Sequence, residues 1–249
     1  VPVCAQTQTA KPTYKTFKYE DGAIMNAMSD NGQWGAFSAQ AEDGASTTVY
    51  SIGARLVNLG TTASLSLTDG LLADTVKSSA ALDVTNDGNI VVGALNSKPA
   101  YYTGDSKAWH FVKYNGLGGT ISSVTPDGRY AVGTVYPNDN EYEEKPALWN
   151  IATGDTIATA NLPQKDMSHA NMGQYRFVSI SADGKTVLGC MSFSYLPSGD
   201  SPGGCFYYVY NVDKQSYKVI GFTESDTENW TPKANNLLFI SGALLSNNG

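Results

Sequence analysis

The residues best suited to chemistry lie in an acidic stretch, YPNDNEYEEK, that runs from Tyr136 to Lys145. Its carboxylates are Asp139, Glu141, Glu143 and Glu144. Glycoside hydrolysis needs two carboxyl groups beside the scissile bond, and calcium binds through several carboxylate oxygens. The spacing matches no EF-hand loop, which leaves a solvated hairpin tip as the plain alternative. We therefore expect no cofactor, with calcium as the one ion that these side chains could bind.

Aromatic residues in loops form a second chemical group, because they stack on sugar rings or anchor partner proteins. With the acidic stretch they give six candidate ligand-binding residues: Tyr136, Asp139, Glu141, Tyr142, Tyr195 and Trp230. Two alternatives stay open, since Tyr195 could pack within its own long loop and Trp230 could cover an interface between sheets. No pattern of nucleophile and base is present, so no catalytic residue is assigned.

The cysteines form a third group, of which Cys190 and Cys205 are the informative pair. They flank MSFSYLPSGDSPGG, which has the composition of a long hairpin loop. On paired strands they could face each other and form a disulfide, and two buried thiols are the alternative. Three cysteines and two histidines in the whole chain do not make a zinc site.

A repeated phrase defines the elements that must position these residues. VTNDGNIVVG, VTPDGRYAVG and ISADGKTVLG are three copies, MSDNG is a partial first copy, and LLSNNG is a partial fifth. Each copy has a short apolar strand ending in Ser or Thr, and then a tight turn of Asp or Asn with Gly, which tolerates positive φ. The turn glycines recur at a period typical of propeller blades: Gly32, Gly88, Gly128, Gly184 and Gly249.

Two further strands follow each phrase. The third strand carries an aromatic residue that we expect to pack between sheets, and these residues are Tyr50, Tyr102, Trp149 and Tyr210. In the first unit the third strand is predicted at 47–52 and the fourth at 54–59. A second glycine in the phrase marks a close backbone approach that could receive a side chain from the neighbouring sheet, at Gly93, Gly133 and Gly189.

Four antiparallel strands per repeat predict an all-β fold, a β-propeller of four-stranded antiparallel blades. We predict one domain over residues 13–249, with blades at 22–70, 79–116, 119–162 and 175–222. Residues 13–19 resemble the fourth strands and are expected to close the ring with 237–249. That closing blade is incomplete, and proteins avoid open sheet edges. We therefore expect the natural chain to continue beyond Gly249, or another chain to close the ring.

Composition restricts the partners and the compartment. The net charge of −7 argues against nucleic acid and anionic membrane surfaces as partners. No apolar run approaches the roughly 20 residues that span a bilayer. VPVCAQ at the N-terminus has the pattern of the end of a signal peptide, so residues 1–12 are interpreted as a signal remnant and linker. A secreted, periplasmic or cell-surface location is expected.

The segment LGGTISSVTPDGRYAVGTVY…KPALWNIATGD, residues 117–155, resembles the HAF-type extracellular repeat of bacterial secreted proteins. The resemblance covers roughly residues 22–222 and implies a propeller in an exported protein, with no catalytic residues to assign. The chain is also similar to surface proteins of Bacteroidetes. In that phylum, short stretches such as DTV and DTI are O-glycosylation acceptors, which would make Thr75 and Thr156 the acceptor residues.

Three functions from different classes follow from the sequence. The first is a non-catalytic binding scaffold, exported or surface-displayed, that recognises a glycan or a protein through its loops. The second is a glycoside hydrolase or lyase that uses the acidic loop residues. The third is a structural subunit of a cell-envelope assembly, in which a partner chain completes the ring. The sequence favours a protein without catalytic activity.

Overall fold

The structure is a computed structural model that describes residues 23–41, 50–68, 78–137, 144–162, 172–194 and 204–222. These residues form strands and turns, without a helix among them. Accordingly, the described part of the chain contains no helix with the length and apolar character needed to cross a membrane. The predicted closing strands at 13–19 and 237–249 lie outside the described residues.

Sixteen strands make four consecutive units, here called blades. Blade 1 consists of β1 (Ala23–Met28), β2 (Trp34–Ala41), β3 (Tyr50–Asn58) and β4 (Ser64–Ser66). Blade 2 consists of β5 (Ser79–Val84), β6 (Ile90–Leu95), β7 (Lys98–Thr103) and β8 (Ala108–Phe111). Blade 3 consists of β9 (Gly118–Val124), β10 (Tyr130–Tyr136), β11 (Lys145–Asn150) and β12 (Thr156–Ile157). Blade 4 consists of β13 (Met172–Ile180), β14 (Thr186–Ser194), β15 (Gly204–Asn211) and β16 (Ser216–Phe222).

Within each blade every strand pairs antiparallel with the next strand in the chain. A single parallel pair, Ile52 with Ser79, joins the sheets of blades 1 and 2. The first strand of each later blade packs against the blade before it, so that β5 contacts β1 and β2, β9 contacts β5 to β7, and β13 contacts β9 to β11. The all-β propeller of four-stranded antiparallel blades is thereby confirmed.

Most of the hydrophobic core lies between blades, although one small cluster, Phe37, Val57 and Leu59, lies within blade 1. One cluster joins Ala36 and Leu56 of blade 1 to Ala81 and Val84 of blade 2. Equivalent clusters join blade 2 to blade 3 around Ile121 and Val124, and blade 3 to blade 4 around Phe177 and Ile180. Each blade is therefore stabilised by the neighbour whose apolar face it covers.

The repeated phrase forms the same turn in all four blades. A buried hydroxyl donates a hydrogen bond of 2.6–2.8 Å to the side-chain oxygen two residues on; the pairs are Ser29–Asn31, Thr85–Asp87, Thr125–Asp127 and Ser181–Asp183. That oxygen accepts a second bond from a backbone N–H two residues further along. The hydroxyl oxygen accepts the first N–H of the second strand. The polar groups of the phrase are thus bonded to one another within the turn.

The turn glycine has a second role at the interface with the preceding blade. Its φ lies between +69° and +74° in the four blades, a region that favours glycine. A Cβ at Gly88 would lie 2.4 Å from the Trp34 ring of blade 1. Likewise, a Cβ at Gly128 or Gly184 would lie 2.5 Å from Ile90 or Tyr130 of the preceding blade. In blades 1 to 3 the first residue of the second strand therefore packs onto the turn glycine of the next blade.

Aromatic side chains tie each blade to the end of the one before. Trp109 Nε1 donates to the carbonyl of Leu67 at 2.8 Å, and Trp149 Nε1 donates to that of Lys113 at 3.0 Å. In blade 4 the Tyr210 hydroxyl donates to the carbonyl of Ala160 at 3.0 Å. The expected packing between sheets is confirmed for Tyr102, Trp149 and Tyr210, which are buried.

Blade 1 differs from the strand assignment made from its sequence. Residues 50–58 form one continuous third strand, and the fourth strand is Ser64–Ser66, so the prediction of two strands at 47–52 and 54–59 is wrong. In blades 2 and 3 the third residue after the turn glycine pairs with the third-strand aromatic residue, Val91 with Tyr102 and Ala131 with Trp149. In blade 1 the equivalent residue, Gly35, pairs with Val57. Val57, and not Tyr50, therefore occupies the position of the third-strand aromatic residues.

Candidate functional site

A β-bulge recurs at the same place in the first strand of every blade. One residue there has no partner in the register of the second strand, and the four residues are Asn26, Leu82, Ser122 and Val178. A Cβ at Gly93 or Gly133 on the second strand would lie 1.9–2.0 Å from a backbone oxygen of the first strand. The predicted close approach is confirmed at these two glycines, but it occurs within the blade. At Gly189 the three nearest atoms belong to Tyr208 of the same sheet, so the close approach there is also within the blade.

The bulges surround a cavity of about 360 Å³ at the axis of the four blades. Each first strand contributes the bulged residue and the two residues after it, and the turns add Asp30 and Pro126. A bulge interrupts pairing and re-aims side chains, and here three consecutive residues of each first strand border the cavity. The described lining holds two carboxylates, Asp30 and Asp83, and no lysine or arginine. We call this feature the axial cavity.

Polar side chains of the axial cavity connect neighbouring first strands. Asn26 Nδ2 donates to Ser38 Oγ at 2.8 Å and to the carbonyl of Ala81, in blade 2, at 2.7 Å. Asp83 Oδ2 accepts from the hydroxyl of Ser123 and the N–H of Val124, both in blade 3 and both at 2.9 Å. The axial cavity therefore has a wall of fixed hydrogen-bonding groups.

Asp83 has an unusual protonation equilibrium. Burial raises the pKa of its carboxyl group from 3.8 to about 6, although the N–H groups of Val124 and Val84 and the Ser123 hydroxyl oppose the shift. The nearby Asp30 carboxylate adds to the rise in the pKa. Asp127 has the opposite shift, because hydrogen bonds from Thr125 and Arg129 outweigh burial and lower its pKa. A raised carboxyl pKa in a cavity is typical of a functional group that exchanges a proton near neutral pH.

Of the six predicted ligand-binding residues the structure describes Tyr136, which does not line the axial cavity. Tyr136 is half-buried at the end of β10, where it pairs with Gly118 at the start of β9. Val124 and the axial cavity lie at the other end of β9. The remaining predicted residues lie outside the described residues: Asp139, Glu141, Tyr142, Tyr195 and Trp230. The loop surface that they define remains a prediction.

An ion pair occupies the described end of the acidic stretch. The Arg176 guanidinium of β13 donates to both carboxylate oxygens of Glu144, and Glu144 is buried. The hydrogen bond to Glu144 raises the pKa of Arg176. Burial and the Glu144 carboxylate raise the pKa of the Tyr136 hydroxyl. Glu144 therefore joins blades 3 and 4.

The described residues contain no group of three or more side chains that could hold a metal ion. The other carboxylates of the acidic stretch, which would have to supply a calcium site, lie outside the described residues. Thr156, one of the two predicted glycosylation residues, is exposed, and its hydroxyl donates to the carbonyl of Lys113 at 2.7 Å. Thr75 lies outside the described residues. Glycosylation of both stays a prediction.

The cysteine pair lies on adjacent strands, but in a diagonal register. Cys190 pairs with Tyr207, and Cys205 pairs with Ser192. Diagonal residues of an antiparallel pair are about 7–8 Å apart, beyond the usual Cα separation of a disulfide. The Cys190 side chain is half-buried. The predicted disulfide remains a prediction that this register disfavours.

Sequence reasoning missed the axial cavity because the first strand of each phrase was interpreted only as an apolar segment. One signal was available in the sequence. Asp83 stands where the other copies have Ala27, Ser123 and Ser179, so a carboxylate interrupts an otherwise small or apolar position. The bulge that directs this position to the axis has no comparable signature in the sequence.

The chain matches no family model, and no curated protein matches it. It is similar to the solved structures of TolB from Acinetobacter baumannii (14% identity, TM-score 0.46) and a putative TolB from Agrobacterium tumefaciens (12% identity, TM-score 0.49). The alignments cover 81% and 79% of this chain, but 44% and 64% of those chains. Dipeptidyl peptidase 4 from Porphyromonas gingivalis is similar at 10% identity and a TM-score of 0.45, over 80% of this chain and 32% of that one. The chain therefore spans less than two thirds of each of these proteins.

Proposed function

We propose that this protein is a non-catalytic binding scaffold that takes a glycan or a protein segment at the axial cavity. The supporting observation is the variation of the axial residues between blades. In the repeated turn, equivalent residues make equivalent hydrogen bonds in all four blades. At the axis, equivalent positions hold Asn26, Leu82, Ser122 and Val178. Function in such scaffolds lies in groups that the fold positions but does not need.

The chemistry of the axial cavity defines the class of ligand. Its described walls carry two carboxylates, serine hydroxyls and an amide, without a basic side chain. An anionic ligand would meet like charge, whereas hydroxyl or ammonium groups would find acceptors. The ligand is therefore neutral or cationic and rich in hydrogen-bond donors. The loop residues predicted from the sequence, Tyr136 to Tyr142, Tyr195 and Trp230, provide a second proposed surface on the protein.

A cavity-filling variant tests the proposal. Ser122→Phe places a ring at the axis, and Ser216→Phe, on an exposed position of β16, is the matched control. Both proteins are screened against panels of glycans and peptides by calorimetry, with melting temperatures recorded. We expect Ser122→Phe to weaken binding about tenfold or more, because the filled cavity excludes the ligand. Equal binding by both variants would count against the axial cavity as the site.

An exported location belongs to the same proposal. The small residues before Gln6 and the resemblance to extracellular repeats support it. The alternative to an exported binding scaffold is a structural subunit of a cell-envelope assembly, in which a partner chain completes the ring. Fractionation of the source cell, followed by detection of the protein in each compartment, tests the location directly. Recovery in the cytoplasmic fraction alone would contradict it.

A hydrolase or lyase is a second candidate function, favoured by one observation. Asp83, with its pKa raised to about 6, shares the axial cavity with Asp30. Glycoside hydrolysis uses two carboxyl groups beside the scissile bond. Against this, hydrogen bonds from Val84, Val124 and Ser123 engage both oxygens of Asp83. Turnover of any glycan that is lost in Asp30→Asn and Asp83→Asn would establish the enzyme, and binding without turnover would exclude it for that ligand.

A further inference from the structure

The first strand of blade 1 exposes a face that the other three blades bury. Met25 occupies the position of Ala81, Ile121 and Phe177, each of which is 0% exposed, yet Met25 is 51% exposed. Met28 occupies the position of Val84, Val124 and Ile180, which are 4–6% exposed, and is 53% exposed. Ile24, on the same strand, is also exposed. A cluster of large apolar side chains on a surface marks an interaction site.

The turn of blade 1 gives independent evidence that this side of the blade can contact a further blade. The Cβ positions of Gly88, Gly128 and Gly184 are each covered by a large side chain of the preceding blade. None of the described residues lies within 4 Å of the Cβ position of Gly32, although its φ of +69° matches the others. Blades 2 to 4 contact the preceding blade through two features, one face of the first strand and the turn glycine. Blade 1 has the same two features.

We propose that this face is the docking surface for a fifth blade of the same repeat, to which the fifth copy of the phrase, at residues 243–249, belongs. The three interfaces between the described blades define what the occupant must present. It needs a small or branched aliphatic residue at the place of Ala36, Val92 and Val132, which face the next blade. It also needs a large side chain two residues after its turn glycine, at the place of Trp34, Ile90 and Tyr130.

The fifth copy of the phrase identifies the occupant as part of this repeat series. ALLSNNG, residues 243–249, has the apolar segment, the serine and the Asn-Gly turn of the other copies. In all four described blades this phrase forms the first strand and its turn, and the second strand follows at once. Successive blades stand side by side in chain order, so a fifth blade follows blade 4 and approaches blade 1 as the ring closes.

The test joins a second and a third strand of the same repeat to the 249-residue chain. Residues 129–155 of blade 3, which contain β10 and β11, are copied and joined after Gly249. Hydrogen peroxide oxidises exposed methionines, and mass spectrometry of peptides gives the oxidation rates of Met25 and Met28, with the buried Met191 as an internal reference. We expect the extension to slow oxidation of both residues by about tenfold, because it buries them.

Two controls separate docking from mere extension. The same extension with Tyr130→Gly in the copied segment lacks the side chain that covers Gly32, and it should protect Met28 less. An extension of scrambled sequence should protect neither methionine. Unchanged oxidation rates in the extended chain overturn the proposal. Protection in the chain without the extension also overturns it, and a dimeric mass by light scattering would then identify a second copy as the occupant.

Discussion

The turn between the first two strands and the axial cavity lie next to each other in every blade, yet they differ in how they vary. In the turn, a hydroxyl, a carboxylate or amide oxygen and a glycine recur with the same bonds four times. At the axis, the residues just before the turn change from amide to aliphatic to hydroxyl between blades. The turn therefore maintains the scaffold, and the axial residues are the ones that can change without loss of the fold.

The largest loss of stability is expected where a residue of the repeated scaffold also forms a contact between blades. Trp149→Ala removes a fully buried ring and its hydrogen bond to the carbonyl of Lys113. We expect a loss of about 3–5 kcal/mol in the free energy of unfolding, measured by urea denaturation. Tyr217→Ala, at an exposed ring on β16, is the control and should cost less. A loss below about 1 kcal/mol for Trp149→Ala would show that the blades do not depend on each other.

The axial cavity should contribute to the pH dependence of stability with a sign opposite to that of the turns. Asp83 has a pKa of about 6 in the folded protein against 3.8 otherwise, so its contribution is complete below about pH 4 and is lost as the pH rises through 6. The lowered pKa of Asp127 in a turn acts in the other direction. The difference in unfolding free energy between the unmodified protein and Asp83→Asn should fall by up to about 3 kcal/mol over that range.

Calorimetric melting of both proteins at a series of pH values measures this difference. An NMR titration of the Asp83 carboxyl carbon gives the pKa independently. A difference that stays constant between pH 4 and 6 would show that Asp83 ionises as an exposed aspartate does, and would remove the case for proton exchange at the axis.

Two hydroxyl groups, one in the turn and one at the axial cavity, test the same difference through smaller losses of stability. Thr125→Val keeps the shape of the side chain but removes the donor to Asp127 and the acceptor for the N–H of Tyr130. We expect a loss of about 1–3 kcal/mol in the free energy of unfolding, because the Asp127 carboxylate and the N–H of Tyr130 then lack this hydrogen-bond partner in the folded turn. Ser122→Ala, a few residues earlier at the axis, should change stability by less than about 0.5 kcal/mol. Similar losses for the two variants in thermal denaturation would contradict the division of roles.

The smallest effect is expected at an exposed link between blades. Lys113 forms an ion pair with Asp155 at 2.6 Å, and both side chains are largely exposed. Solvent and salt screen such pairs, so Lys113→Met should leave the melting temperature unchanged within error at both low and high salt. A clear loss confined to low salt would indicate that exposed charge contributes to the cohesion of the blades.

Much of the scaffold could be predicted from the sequence because the turn leaves a strong local pattern. Asp-Gly or Asn-Gly after a hydroxyl residue specifies the turn, and it fixed the first and second strands in all four blades. The third and fourth strands predicted for blade 1 are wrong. Tyr50 is aromatic, like the equivalent residues of the other third strands, but the residue in their register is Val57. Register depends on pairing with a distant strand, which residue type alone does not reveal.

The candidate site could not be predicted in the same way. The axial cavity exists because four bulges, distant in sequence, meet around one axis. The shifted pKa of Asp83 results from burial against blade 3, which no local pattern encodes. The predicted binding residues were chosen for aromatic or acidic character in loops, and of these the structure describes only Tyr136, at the opposite end of blade 3.

The packing of a large side chain onto the next turn glycine has a consequence for how such a chain can change in length. Trp34 on Gly88, Ile90 on Gly128 and Tyr130 on Gly184 give blades 2 and 3 both a surface that contacts the next blade and a surface that contacts the preceding one. A duplicated gene segment that encodes one blade therefore carries a compatible partner for both of its new neighbours.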